Sequence, residues 1–123
     1  MDTFTTYKEF LSTSDSLVTE AMELIAERRL DDTFCDGDEC DIVHEVIDGI
    51  QDVIYYSRAW DIVTSLKNHH SGLLNDVEEL VAEITDFSNF SLDAYMTQIT
   101  YWAYHHLVLA DVHTALEELE EAA

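Results

Sequence analysis

The stretch Asp41-Ile42-Val43-His44-Glu45-Val46-Ile47-Asp48-Gly49-Ile50-Gln51-Asp52-Val53-Ile54 decides how the rest of the chain is read. Its apolar residues fall at 42, 43, 46, 47, 50, 53 and 54, the three- and four-residue steps of an amphipathic helix; a half-buried strand would alternate in steps of two. At about 100° per residue, Asp41, Glu45, Asp48 and Asp52 lie within about 60° of one another, opposite the arc centred on Ile50. The stretch therefore predicts a helix starting near Asp38 to Asp41, with one buried side and four carboxylates in a stripe on the other. Beyond Tyr55 and Tyr56 this phase breaks, which places a bend or restart near Tyr56 to Arg58.

The same period extends in both directions. Phe4, Tyr7, Phe10, Leu11, Leu17, Val18, Ala21, Met22, Leu24 and Ile25 form an N-terminal series ending near Arg29, with the polar run Ser12 to Ser16 expected to divide it and Ser14 to cap the second part. Arg28 and Arg29 are placed to complement the dipole at its C-terminus. Residues 31–39 lack helical periodicity and read as a surface loop. Lys67 to Gly72 reads as a second loop, followed by Leu73, Leu74, Val77, Leu80, Val81, Ile84 and Phe87, with Asn75 and Glu78 spaced as a capping box. A turn is expected at Ser88-Asn89-Phe90, after which Ser91 caps a long final helix reaching about Glu120.

Proline is absent and glycine occurs only at 37, 49 and 72, so the usual residues of hairpins and tight turns are missing. The expected fold class is all-α, a compact bundle of about four to six helices with acidic outer faces, forming one domain over residues 1–123. A content of 47% hydrophobic and 11% aromatic residues is enough for a core, which argues against a disordered acidic chain. No stretch approaches the roughly 20 apolar residues of a membrane span, and the N-terminus has no basic segment followed by an apolar run; a cytoplasmic location is expected. Cys35 and Cys40 are too few for a disulfide framework and read as free thiols.

Charge is the dominant compositional fact. Twenty-seven acidic and five basic residues give a net charge of -22, and protonating all six histidines would reduce it only to -16. Solubility of a small domain needs a net charge of roughly 2 to 8, and a larger excess repels itself within the compact state. An ordinary solvated helix face mixes signs, because like charges at i,i+4 destabilise by about 0.2 to 0.5 kcal/mol per pair. No Lys or Arg occurs between Arg29 and Arg58. Besides the stripe, Glu20, Glu23 and Glu27 make a second row and Glu78, Glu79, Glu83 and Asp86 a third, while Asp31, Asp32, Asp36 and Asp38 cluster in the first loop. Two readings explain such rows: adaptation to high salt, in a helical binding or interaction domain, and imitation of nucleic acid. Phosphates on one DNA strand recur about every 3.4 Å; carboxylates three or four residues apart on a helix rise about 4.5 to 6 Å. The match is coarse, but several helices together can present two rows separated by a groove-like distance.

Catalysis and metal binding find no anchor in local motifs. No glycine-rich phosphate loop, Gly-x-Ser-x-Gly, His-Glu-x-x-His or Cys-x-x-Cys is present. Asp36 to Asp41 lacks the glycine position and twelfth-position Glu of a calcium loop. Asp41 and His44 are spaced for one ion, yet a four-helix di-metal site needs two Glu-x-x-His motifs, so His44 is read as structural. The adjacent pairs His69-His70 and His105-His106 diverge by about 100° on a helix, and His106 and His113 share a face that is read as interface or core. No catalytic residue, metal ligand or cofactor is assigned. Tyr101, Trp102 and Tyr104 do not all face inward on one helix and are candidates for a dimer interface, where Tyr and Trp are enriched.

Glu20-Ala21-Met22-Glu23-Leu24-Ile25-Ala26-Glu27 leading into Leu30-Asp31-Asp32, then the acidic stripe, then Tyr55-Tyr56 and Ala59-Trp60-Asp61-Ile62-Val63, resemble the Ocr-type antirestriction proteins of phages over residues 18–65. Those are small, all-helical, strongly acidic homodimers that imitate B-form DNA and occupy the DNA-binding groove of type I restriction and modification enzymes. The chain departs from them in its short acidic C-terminus, its histidines and its two cysteines. The resemblance implies a non-enzymatic homodimer in the host cytoplasm that evades host defence by occupying the DNA site of a basic partner, without binding nucleic acid or membrane itself. Some anti-CRISPR proteins use the same acidic strategy on other folds.

Overall fold

The computed structural model describes residues 3–35, 37–50, 56–84 and 91–122. They form five helices: α1 (Thr3–Leu30), α2 (Asp38–Asp48), α3 (Tyr56–His69), α4 (Ser71–Ile84) and α5 (Leu92–Ala122). No strand occurs among the described residues, and none of these helices is long and apolar enough to cross a membrane. The all-α bundle expected from the hydrophobic period is the observed one.

The two longest helices organise the packing. α1 lies against α2, α3 and α5; α5 also packs on α2, α3 and α4; and α4 rests chiefly on α3 and α5. From α1 a single stripe of Thr6, Phe10, Ser14, Leu17, Ala21 and Ile25 is buried. It meets Ile42, Val43 and Ile47 of α2, Ile62 and Leu66 of α3, and Ile99, Tyr104, Val108 and Val112 of α5 in one core. The rings of Phe10 and Tyr104 lie 4.5 Å apart at its centre. Val77 and Val81 of α4 complete it.

The expected division at Ser12 to Ser16 does not occur: α1 is one helix of 28 residues. Ser14 is three residues before Leu17 and four after Phe10, so it falls within the buried stripe, and its hydroxyl donates to the Phe10 carbonyl at 2.9 Å. Such back-bonding satisfies a serine hydroxyl without ending the helix. Ser14→Ala is therefore expected to change stability by less than about 0.5 kcal/mol, since Ala's higher helix propensity offsets the lost bond. Loss of a true N-cap would cost about 1 kcal/mol; urea unfolding distinguishes the two.

Helix α2 begins where expected but stops early. Gly37 adopts φ 98°, a left-handed conformation that glycine takes without strain, and its N–H donates to the Glu39 carboxylate at 3.0 Å. The Asp38 carboxylate accepts the Cys35 N–H at 3.0 Å. Asp38, Glu39 and Asp41 thus occupy a first turn whose dipole favours negative charge. At the other end Gly49 follows Asp48 outside the helix, and the Ile50 N–H donates to the Ile47 carbonyl at 2.9 Å. Glycine costs about 1 kcal/mol in a helix interior, enough to end a short helix. Asp52, with Val53 and Ile54, lies outside the described residues.

The expected loop Lys67 to Gly72 shrinks to one residue. α3 runs through His69 and α4 starts at Ser71, while the His70 N–H donates to the Leu66 carbonyl and its own carbonyl accepts the Leu74 N–H. Asn75 is therefore inside α4 rather than at its cap. The polar run is anchored on α1: His69 stacks on Tyr7 with centroids 5.6 Å apart, and the Tyr7 hydroxyl is 3.3 Å from Nδ1 of His70. Ser91 caps α5 as expected, accepting the Ala94 N–H at 3.1 Å, and the Trp60 indole N–H ties α3 to α5 through Asp93 at 2.8 Å. The expected turn at residues 88–90 lies outside the described residues.

Candidate functional site: acidic helix faces and a Cys-His cluster

Two features stand out on this scaffold. The first is the acidic surface. Asp41, Glu45 and Asp48 are exposed on α2, opposite its buried Ile42, Val43, Val46 and Ile47. Glu20, Glu23 and Glu27 are exposed on α1, on the side away from Ala21. Asp31 and Asp32 follow in the exposed turn after α1, and Asp38 is half-buried at the start of α2. Because α1 and α2 pack on each other, these residues belong to adjoining elements. Glu78, Glu79 and Glu83 are exposed on α4, whose main neighbours are α3 and α5, so the third row belongs to a different part of the bundle. Asp36 and Asp86 lie outside the described residues.

The α2 stripe is less isolated than the sequence implies. Arg28 reaches from the last turn of α1 to Glu45 at 2.8 Å. Both groups are solvent-accessible, and such a pair contributes at most about 1 kcal/mol. Asp48 accepts the Tyr101 hydroxyl at 3.3 Å. The remaining basic side chains of α1 are turned to aromatic rings, Lys8 over Phe4 at 4.7 Å and Arg29 over Phe34 at 5.2 Å. Among the described residues, Arg28 with Glu45 is the one ion pair between an Arg or Lys and a carboxylate. The surface remains dominated by one sign.

The second feature was not singled out by sequence spacing. Cys40 and His44 are four residues apart on the side of α2 that faces α5, and there they meet His105. One ligand-type atom from each lies within 4.8 Å of the others. The Cys40 Sγ is 3.7 Å from Nε2 of His105, and the His44 and His105 rings are 4.1 Å apart between centroids. Trp102 covers both rings edge-on, at 5.4 and 5.1 Å. The Tyr101 hydroxyl lies 2.8 Å from Nδ1 of His44. His105 is 6% exposed; burial first, then the neighbouring His44, lowers its pKa to about 4, so it is a neutral imidazole at physiological pH. Burial also raises the Cys40 thiol, reinforced by Asp41 and Glu39, and burial followed by Asp48 pushes Tyr101 up to about 12.

A cleft of about 400 Å³ opens beside His105, between α4 and α5, lined by Leu80, Trp102, Leu109, His106 and His113 among others. His106 and His113 do share a face, as their spacing indicates. His113 also contacts the Glu39 carboxylate at 3.1 Å. Glu39 is held below the usual carboxylate range, chiefly by backbone hydrogen bonding at the start of α2. Of the aromatic residues expected at a dimer interface, Tyr104 is 2% exposed in the core and offers no surface to a second copy. Tyr101 and Trp102 are half-buried over the Cys-His cluster.

No protein-family model, curated protein or solved structure matches this chain.

Proposed function

We propose that this chain is a non-catalytic DNA-mimic inhibitor, whose carboxylates take the place of DNA phosphates in the basic groove of a host nucleic-acid-binding protein. The observation that carries the reading is the like-signed exposed surface of two adjoining helices: Glu20, Glu23 and Glu27 of α1 with Asp41, Glu45 and Asp48 of α2, where Arg28 pairs with Glu45. Neither solubility nor helix stability calls for that arrangement, since both favour mixed signs. A groove that has evolved to bind a polyanion is its natural complement. Association would be fast and strongly salt-dependent, because the partner's Lys and Arg shed condensed anions or previously bound DNA as the carboxylates dock.

The resemblance to antirestriction proteins makes a type I restriction and modification enzyme the first target to test, with a CRISPR effector second. The chain would act in the bacterial cytoplasm, where those enzymes meet invading DNA. Immobilised chain, exposed to bacterial lysate at low salt, is expected to retain DNA-binding enzymes that duplex DNA then elutes. Recovery of nothing, or of partners indifferent to added DNA, would overturn the proposal.

A further inference from the structure

We propose that Cys40, His44 and His105, none of them part of the acidic rows, form a binding site for a zinc-class divalent metal that clamps α2 to α5. The residue types are those a borderline-soft ion selects: one cysteine sulfur, whose thiol proton passes to solvent as the metal binds, and two imidazoles. In a tetrahedral zinc site, bonds of about 2.3 Å to sulfur and 2.0 to 2.1 Å to nitrogen place S and N ligands about 3.6 Å apart and two N ligands about 3.3 Å apart. The Cys40 Sγ to His105 Nε2 separation is already 3.7 Å, and the widest separation in the trio, at most 4.8 Å, closes with side-chain rotation. Cys40 and His44 supply a one-turn spacing on a single helix, and α5 delivers the third ligand from the facing side.

A second observation points the same way. The Tyr101 hydroxyl lies 3.3 Å from a carboxylate oxygen of Asp48, to which it can donate, and 2.8 Å from Nδ1 of His44; with the hydroxyl proton directed to Asp48, Nδ1 of His44 is the donor. In that tautomer the His44 proton sits on Nδ1 and the Nε2 lone pair is available to coordinate. Proteins orient metal-bound histidines and strengthen them as ligands by a hydrogen bond from the other ring N–H, commonly to a carboxylate, carbonyl or water; here Tyr101 takes that place and links His44 to Asp48. Asp48 thereby gains a role on the inner side of the stripe. Three protein ligands leave a fourth position for water or a small anion, and His105 also lines the cleft between α4 and α5.

The test must separate this site from loose cation binding by the acidic surface. Cobalt(II) is titrated into the chain in about 0.15 M salt with excess Mg²⁺, a hard cation that occupies oxygen ligands and competes poorly for sulfur and imidazole. One equivalent is expected to bind, with a thiolate-to-cobalt charge-transfer band and the intense visible absorption of tetrahedral Co²⁺, and Zn²⁺ should displace it. Cys40→Ser should remove the charge-transfer band, while Cys35→Ser leaves it intact. Tyr101→Phe should keep the band but weaken affinity by about 10- to 100-fold, a change that a purely structural tyrosine would not produce. Far-UV circular dichroism of each metal-free variant verifies the fold, and His44→Gln replaces any variant that has lost it. Absence of the thiolate band, its persistence in Cys40→Ser, or loss of binding in Mg²⁺ would overturn the assignment.

Discussion

Reversing Glu20, Glu23, Glu27, Asp41, Glu45 and Asp48 together to Lys is expected to weaken partner binding by more than about 100-fold, because each lost carboxylate also introduces a repulsive cation against a basic groove. Changing any one of them to its amide is expected to weaken binding by only about twofold to fivefold, the range of single exposed ionic contacts. Glu45 is the instructive case among the singles. It already engages Arg28 at 2.8 Å, so its carboxylate is partly neutralised before docking, and Glu45→Gln should cost less than Glu23→Gln. The six reversals shift the net charge by two units each, from -22 to -10, leaving an acidic, dispersed protein. Reversing an equal number of acids on α4 and α5, including Glu79, Glu83, Glu117 and Glu118, gives the same net charge with a different pattern. If that control binds as weakly as the six-residue variant, bulk charge rather than the α1 and α2 face carries recognition.

Tyr104→Ala is expected to have the largest effect on stability. Tyr104 is 2% exposed and its ring lies 4.5 Å from that of Phe10, joining α5 to α1 at the centre of the core. Truncating a buried aromatic ring to Ala costs about 3 to 5 kcal/mol through lost burial and the cavity left behind. Small domains have only about 5 to 15 kcal/mol in total, and this one also carries the self-repulsion of its surface. A large drop in urea midpoint is expected, much smaller for Tyr104→Phe, which keeps the ring. Had Tyr104 been a dimer contact, Ala would have spared the fold and weakened self-association instead.

These cases show how much was legible before the fold was known. The helices were, because the period of Ile42, Val43, Val46 and Ile47 and of the α1 stripe reflects one-sided burial, the force that assembles a bundle. The Ser91 cap was legible because its hydroxyl acts on a neighbour three residues away. Of the breaks inferred from polar runs, the one at Ser12 to Ser16 does not occur, and the one at Lys67 to Gly72 is present but shrinks to His70. Ser14 is satisfied by its own backbone within α1, and the contacts of His69 and His70 with the N-terminal turns of α1 leave only His70 between α3 and α4. The acidic rows were visible as rows, but their relation was not: Arg28 meets Glu45 across a helix pair, and the α4 row is set apart by the packing order. The Cys-His cluster was hidden for the same reason. Its local half, Cys40 and His44 one turn apart, was available, but His105 is 65 residues from Cys40 and only the packing of α2 on α5 brings it near.

The central claim is that the carboxylates of α1 and α2 compete for a site made for DNA. Its most direct measurement is equilibrium binding of a labelled duplex to the purified captured partner at increasing concentrations of this chain. The account predicts competitive behaviour: the apparent Kd for DNA rises linearly with chain concentration, the six-residue Lys variant leaves it unchanged, and the inhibition weakens steeply as salt is raised. Simultaneous binding of chain and duplex to the partner, or inhibition by the Lys variant equal to that of the native chain, would contradict it.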